Sequence, residues 1–335
     1  TFKQSSADSC LFYYRDEKTG KFVLVASEVD DLIITGTDEA AIAKLKAGLV
    51  KRFNIDDSKW EELASFLGIN ISYEHRTGRL EMDISQKVKT MLDEHKLLHN
   101  VKTQDVPSTD ANLDVPESAA ANYTQTDKYI VENYASIIGS CIYMSITVRN
   151  DITFAVGKCA RGMHKPQPCH VEMLKQLVGY LKKTAGYKLV YQQHGNPSES
   201  LFSDISKTDG ALSFIATAEG STFVGFADAN FANIFDDKRK SISGYCYFVF
   251  YCPVTWRSKM RTITAGSTHE AELIAIALAA NEGVWIRKLL VEIGFYWQPV
   301  RIEIGFRKRF WLVCITELAH SPFPPAFLSM QCLHY

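Results

Sequence analysis

The sequence predicts a mixed α and β fold, of the α+β or α/β class, and three observations lead to this prediction. Short β-rich runs face each other across tight turns at residues 21–35 and 67–84. Apolar side chains recur every three to four residues in several longer segments, which is the spacing of amphipathic helices. Near the end of the chain, three strand-like runs precede a long helical segment and an incipient fourth strand.

Composition limits the function classes. The 335 residues suffice for two domains, and 46% of them are hydrophobic, which indicates a packed core rather than global disorder. The formal net charge of -1 counts against a simple high-affinity nucleic-acid binder, but it allows an enzyme with a local basic groove. The chain has no glycine-rich phosphate loop and no Gly-x-Ser-x-Gly elbow, which counts against an unrelated nucleotide-binding enzyme or hydrolase.

The eight cysteines are scattered without zinc-site spacing, as expected in a reducing compartment. No apolar run approaches the roughly 20 residues of a membrane helix, and no signal peptide is evident. We therefore expect a cytoplasmic or nuclear protein that is neither secreted nor membrane-bound. The first residue, Thr1, suggests a fragment or a processed product.

Turn and capping residues divide the chain into elements. Asp38 is a candidate cap for a helix with one apolar face. The residues of that face are Ile42, Leu45, Leu49 and Phe53. Ser85 starts a second helix, and further helices are expected at 129–148, 170–184 and 267–293, the last ended by Gly294. Strands are expected at 21–25, 32–35, 67–73, 80–84, 188–192, 212–216, 223–227, 243–250, 253–256 and 300–304. The tail that follows shows no helical or strand period.

The first candidate site is an acidic pair, Asp30 and Asp31, between two hydrophobic strands. Neighbouring carboxylates repel each other, and a bound divalent cation such as Mg²⁺ relieves that repulsion. The alternative is an ordinary turn, in which aspartate is common.

The second candidate site combines Asp228, at the end of an apolar strand, with Glu272 in the long helix. Ser267 and Glu270 form a capping box, in which the Glu270 carboxylate is expected to accept from the Ser267 backbone N–H. Glu272 points elsewhere, at the margin of a buried face, where a carboxylate is costly unless it is paired or bound to a metal. The alternative is a surface glutamate at the edge of the helix.

The first site resembles the catalytic hairpin of copia-type reverse transcriptases, whose usual form is Tyr-Val-Asp-Asp before an apolar strand. Later segments resemble the same family at 66–69, 134–143, 149–152 and 180–184. The resemblance implies a partial palm and thumb, Mg²⁺ held by Asp30 and Asp31, and a template-primer partner. Glu28 stands where the family has Tyr, and the family's third aspartate, from an upstream strand, has no counterpart here.

The second site resembles copia-type RNase H domains, through the segments 225–230, 240–245, 254–259 and 267–275. The resemblance implies an RNase H-like mixed sheet with a long helix, in which Asp228 and Glu272 bind Mg²⁺ for cleavage of an RNA–DNA hybrid by a two-metal mechanism. The family's next carboxylate lies in an Asp-Asn on the following strand, but this chain has no Asp after Asp237. Glu303 is a weak substitute, and we expect that a frameshift or a new splice junction near it replaced the natural end.

These two resemblances predict a partial reverse transcriptase palm and thumb at 1–105, a linker at 106–128 and a helical connection region at 129–200. A truncated RNase H-like domain at 201–303 and an aberrant tail at 304–335 follow. The predicted function is a retrotransposon polyprotein remnant that runs neither reaction, because each metal site lacks a carboxylate. The alternatives are a non-catalytic nucleic-acid-binding module and a product without function.

A basic group supports the alternative of a binding module, because cationic side chains contact nucleic-acid backbones. Its members are Lys238, Arg239, Lys240, Arg257, Lys259 and Arg261. A solvated turn explains the same residues equally simply. The oligomeric state is not predicted.

Overall fold

The computed structural model describes residues 1–54, 56, 60–109, 115–191, 223–231, 240–249, 252–294, 300–304, 313–315 and 329–333. The α-helices are α1 (Glu39–Phe53), α2 (Ser85–Glu94), α3 (Gln125–Thr147), α4 (Thr153–Cys159), α5 (Pro168–Lys183) and α6 (Thr268–Glu292). The first nine strands are β1 (Lys3–Gln4), β2 (Leu11–Arg15), β3 (Phe22–Glu28), β4 (Asp31–Gly36), β5 (Trp60–Glu62), β6 (Ser65–Phe66), β7 (Ile69–Glu74), β8 (Arg79–Asp83) and β9 (Lys188–Tyr191). The others are β10 (Phe223–Asn230), β11 (Ile242–Val249), β12 (Cys252–Met260), β13 (Val300–Ile304), β14 (Val313–Ile315) and β15 (Ser329–Leu333). The predicted mixture of helices and strands is confirmed.

The first sheet is antiparallel, in the order β1-β2-β3-β4-β15-β5. Strands β3 and β4 form the predicted hairpin, and α1 follows it. The helix begins where predicted, because the Asp38 side chain accepts a hydrogen bond from the Ala41 backbone N–H at 3.1 Å. It ends at Asn54, whose φ of 53° is the left-handed conformation that closes many helices. The expected apolar face is shorter than predicted, because Phe53 is 57% exposed.

The largest core packs helices against a four-stranded antiparallel sheet of order β6-β7-β8-β9. The predicted hairpin around Gly78 forms β7 and β8, and the predicted apolar side of α2 is buried as expected. This core contains buried residues from α2, α3, α4, α5 and β9. Residues on both sides of the proposed linker at 106–128 therefore share one core, and α3 begins within that segment, at Gln125. The five segment boundaries stay a prediction.

A five-stranded sheet, called the second sheet below, has the order β12-β11-β10-β13-β14. Strands β10, β11 and β12 form an antiparallel meander, whereas β13 returns beside β10 in the parallel direction after α6. Helix α6 packs on this sheet through a small apolar cluster that includes Phe223, Tyr247 and Ile286. The sheet therefore places the end of β10 beside the first turns of α6.

The prediction for the tail is wrong in two places. Residues 313–315 form β14 beside β13, and residues 329–333 form β15 between β4 and β5 of the first sheet. The strand predicted at 212–216 lies outside the described residues. Within the described ranges, no helix is long and apolar enough to cross a membrane, and the six described cysteines are free.

Candidate functional site

The β3–β4 hairpin presents the first acidic pair. Glu28 and Asp31 lie opposite each other in the strand register, and Val29 and Asp30 form the turn between them. Val29 has a φ of 50° and is 90% exposed. A β-branched residue in this conformation is strained, so the turn is set by the pairing of the two strands rather than by local preference.

The charges at this turn are all negative. Asp30 and Glu28 are exposed, and Asp31 is half-buried. Like charges directly opposite each other destabilise an antiparallel pair, so Glu28 and Asp31 oppose the hairpin that holds them.

The second acidic pair joins a strand to a helix. Asp228 lies opposite Gly244 on β11 and is exposed, whereas Glu272 lies in the second turn of α6 and is 5% exposed. Ala229, next to Asp228, packs with Ala271 and Ala275 of α6, and its backbone N–H donates a hydrogen bond to the Glu272 carboxylate. The two carboxylates predicted from separate motifs therefore interact with each other.

Burial and repulsion perturb Glu272. Loss of hydration is the larger cause and the negative charge of Asp228 the next, and together they raise the pKa of Glu272 to about 7. The Ala229 hydrogen bond and the positive charge of Arg261 act in the opposite direction. The buried Oε2 atom of Glu272 has no hydrogen-bond partner. This carboxylate thus retains an unused acceptor atom beside Asp228.

The cap of α6 differs in part from the prediction. The Ser267 side chain accepts from the Glu270 backbone N–H at 3.1 Å, as expected. The Glu270 carboxylate, however, accepts from the Gly266 backbone N–H at 2.7 Å rather than from that of Ser267. The returning carboxylate therefore reaches one residue further back than in a capping box. Glu270 remains structural, and Glu272 remains the carboxylate near β10.

Comparison with known proteins places the first of these sites in a family. The family described as reverse transcriptase (RNA-dependent DNA polymerase) matches residues 1–109, which include Asp30 and Asp31. The retrovirus-related Pol polyprotein from transposon TNT 1-94 of Nicotiana tabacum is 27% identical over 88% of this chain and 20% of its own length. That from transposon RE1 of Arabidopsis thaliana is 29% identical over 88% of this chain and 17% of its own length. Residues 1–109 thus match the reverse transcriptase family, and 88% of the chain is similar to Pol polyproteins of retrotransposons.

The match confirms the predicted relationship to copia-type Pol polyproteins, while the RNase H part stays a prediction. The chain spans a fifth or less of the length of these two Pol polyproteins. A putative transposon Ty5-1 protein of Saccharomyces cerevisiae is 22% identical over 81% of this chain and 76% of its own length. No solved structure matches significantly.

Reverse transcriptases of this kind imply Mg²⁺, and the two acidic pairs can be tested for it. Oxygen ligands suit Mg²⁺, and the orphaned Oε2 of Glu272 is an available one. Among the described residues, however, no three Asp, Glu, His or Cys side chains lie close enough together to hold a metal ion. Each pair in this Pol-related chain therefore offers two carboxylates, which do not fit a two-metal cluster.

The described residues include only part of the predicted basic group. Lys238 and Arg239 lie outside the described residues, while Arg257 and Lys259 are exposed and Lys240 is half-buried. Arg261, in contrast, is 8% exposed, so its side chain is buried in this structure rather than presented at the surface. Its guanidinium donates to Ser243 Oγ and, at 2.9 Å, to the backbone carbonyl of Ala271.

Sequence reasoning therefore missed the part that Arg261 plays in the second site. Basic residues occupy every second position from Arg257 to Arg261, and such an alternation is typical of the exposed face of a strand. The pattern therefore indicated a surface residue. One feature of the sequence indicated burial. Arg261 follows the end of β12, where the chain continues towards the small residues that precede α6.

Proposed function

We propose that this chain derives from the reverse transcriptase and RNase H segments of a retrotransposon Pol polyprotein, and that it cleaves no RNA–DNA hybrid by itself. The interaction between Asp228 and Glu272 carries the RNase H assignment, because motifs 44 positions apart along the chain meet at one point. The sheet supports it as well, since three antiparallel strands are followed by a helix and a parallel return strand.

The proposed lack of cleavage follows from the number of ligands. Two-metal hydrolysis needs ions held at a fixed spacing to activate water and stabilise the leaving oxygen. Asp228 and Glu272 supply two carboxylates, and strand β13 beside them has Glu303 as its acidic residue and no aspartate. The same shortage applies to Asp30 and Asp31, which we propose as the remnant of a polymerase site that used template-primer and Mg²⁺.

A cleavage assay with a labelled RNA–DNA hybrid and Mg²⁺ tests this proposal. The expected result is no cleavage above that of buffer, with no difference between the native chain and Asp228→Asn. Asp228 is exposed, so the substitution leaves the core intact and provides a matched control for contaminating nucleases. Cleavage that needs Mg²⁺ and disappears in Asp228→Asn would overturn the proposed inactivity.

A second candidate function, binding of nucleic acid without cleavage, is favoured by one observation. Arg257 and Lys259 are both exposed and lie two residues apart on β12, so their side chains leave the strand on the same side. Two cations on one side of a strand can contact successive phosphates.

Fluorescence anisotropy with the same hybrid at increasing salt tests the binding function. Lys259→Gln is expected to reduce the salt dependence by about one released counterion, whereas Lys51→Gln, an exposed lysine at the end of α1, is expected to leave it unchanged. Equal effects of the two substitutions would show that binding is a general property of surface lysines, and would argue against a site on β12.

A further inference from the structure

Arg261 connects β12, β11 and α6 beside the second acidic pair. It follows β12 directly, and its backbone N–H donates to the carbonyl of Ser241 at 2.9 Å. Its side chain reaches Ser243 on β11 and Ala271 on α6. Ser243 is the register partner of Ala229, the neighbour of Asp228, and Ala271 is the neighbour of Glu272. One guanidinium therefore bridges the positions adjacent to both carboxylates.

Arg261 and Glu272 each have a buried polar atom without a hydrogen-bond partner. The NH1 atom of Arg261 and the Oε2 atom of Glu272 both lack a hydrogen bond, and both residues are more than nine-tenths buried. One is a donor with a positive charge and the other an acceptor with a negative charge, and the two groups interact electrostatically. Opposite charges in a buried setting attract each other without a direct hydrogen bond, so each offsets part of the cost of burying the other.

The charges at this site add up unfavourably for a metal ion. An arginine stays protonated in proteins, so the guanidinium contributes a fixed positive charge that acts on the Glu272 carboxylate. With both carboxylates ionised, it leaves a single net negative charge, which attracts a divalent cation less than two would. A cation that approaches Glu272 also meets the repulsion of Arg261, in surroundings where water screens charge poorly.

We propose that the guanidinium of Arg261 is the resident counter-ion of the Asp228–Glu272 pair and occupies the electrostatic role that a divalent cation would otherwise have there. Arg261 is thus a positioning residue whose charge offsets one of the two negative charges of the site. This inference rests on the proposed origin of the pair as a metal site. The charge of Arg261, in addition to the small number of carboxylates, then keeps a metal ion away from the pair.

Binding of Mn²⁺, followed by electron paramagnetic resonance of the free ion, tests the proposal without any substrate. Arg261→Gln removes the charge and keeps an amide donor for Ser243 or Ala271. It is expected to tighten Mn²⁺ binding about tenfold, and Asp228→Asn in the same background is expected to abolish that gain. Arg261→Lys keeps the charge and is expected to bind Mn²⁺ like the native chain. Unchanged affinity in Arg261→Gln, or an equal gain in Arg261→Lys, overturns the proposal.

The native chain supplies a test that does not depend on the folding of an Arg261 variant. If the guanidinium is the counter-ion of the pair, native protein has no tight Mn²⁺ site that depends on Asp228, and Asp228→Asn binds the same amount of Mn²⁺. A native site that is lost in Asp228→Asn overturns the counter-ion role even if hybrid cleavage remains absent. Hybrid cleavage, in contrast, would overturn the proposed inactivity, so the two failures are distinguishable.

Discussion

Single side chains connect segments that look independent in the sequence. Arg149 is 2% exposed and forms a two-pronged ion pair with Asp151. The same guanidinium donates to the carbonyl and the hydroxyl of Thr184, and Tyr180 donates to Asp151 at 2.8 Å. Two of the segments that resemble copia-type sequences, at 149–152 and 180–184, therefore contact each other. Their residues form one buried polar network. The hydrogen bonds of this network explain structurally why these residue types occur in both segments.

Asp127 at the start of α3 makes stability depend on pH. Burial alone would raise its pKa, but hydrogen bonds from Thr124 and the nearby Lys175, 3.0 Å away, lower it below the ordinary range. Because the folded pKa is the lower one, this stabilisation is complete above the ordinary pKa of aspartate, about 3.9, and is lost as the pH falls through the folded pKa. Asp127→Asn should therefore lower the free energy of unfolding at pH 6 by on the order of 1 kcal/mol, and the difference should shrink towards pH 2.5.

Urea unfolding at several pH values measures this difference. Glu132→Gln, at an exposed position of the same helix, is the matched control and should change stability little at any pH. A difference between Asp127→Asn and the native chain that stays constant from pH 6 to pH 2.5 would show that the charge of Asp127 contributes nothing.

At the scale of elements, the contact between α6 and the second sheet depends on two glycines. Tyr247 is fully buried, and its hydroxyl donates to the Ala279 carbonyl of α6. A Cβ atom at Gly225 would lie 2.1 Å from the Tyr247 ring, and one at Gly283 would lie 2.7 Å from its hydroxyl. The tyrosine therefore fits between strand and helix because neither neighbour has a side chain.

Gly225→Ala should destabilise the protein by about 1–3 kcal/mol, because the buried ring has no room to move away from the added methyl group. Gly139→Ala is the matched control. Nothing lies within 4 Å of the added atom on α3, and alanine favours the helix by about 1 kcal/mol, so this variant should be more stable than the native chain. Thermal unfolding compares the two variants, and melting temperatures that shift in the same direction would contradict the packing argument.

Local patterns predicted most of these elements, and long-range pairing explains what they missed. The β3–β4 hairpin and helices α1, α2, α5 and α6 follow from alternation, helical spacing and capping residues, which are all local. Strand β15 pairs with β4, about 300 residues earlier in the chain, and no local period indicates such a pairing. The interaction of Asp228 with Glu272 was predicted from their motifs. The inward turn of Arg261 was missed because it depends on where α6 packs.

At the scale of the whole molecule, polar contacts join the first sheet to the second. The end of α6 reaches the N-terminal segment, where Glu292 accepts from the backbone N–H of Ser6 at 3.0 Å and from that of Ala7 at 3.4 Å. Trp285 donates to the Ala7 carbonyl at 2.9 Å, and Arg15 donates to that of Gly294 at 2.7 Å. The second sheet also contacts the helical core, where Trp256 donates to the Ser145 carbonyl.

Glu292→Ala should release the N-terminal segment from α6 and leave the remaining contacts in place. The Ser6 amide loses a charged acceptor, and such hydrogen bonds contribute about 1.5–3 kcal/mol, so its hydrogen exchange should accelerate by about tenfold or more. The Ala7 amide also donates to Ser5 Oγ at 3.0 Å, so its exchange should accelerate less. Trp256 donates to the Ser145 carbonyl at 2.7 Å, and the amides around Ser145 provide an internal control that should exchange at the native rate. Faster exchange in both places would indicate global destabilisation. Unchanged exchange at Ser6 and Ala7 would mean that Trp285 and Arg15 hold the two sheets together without Glu292.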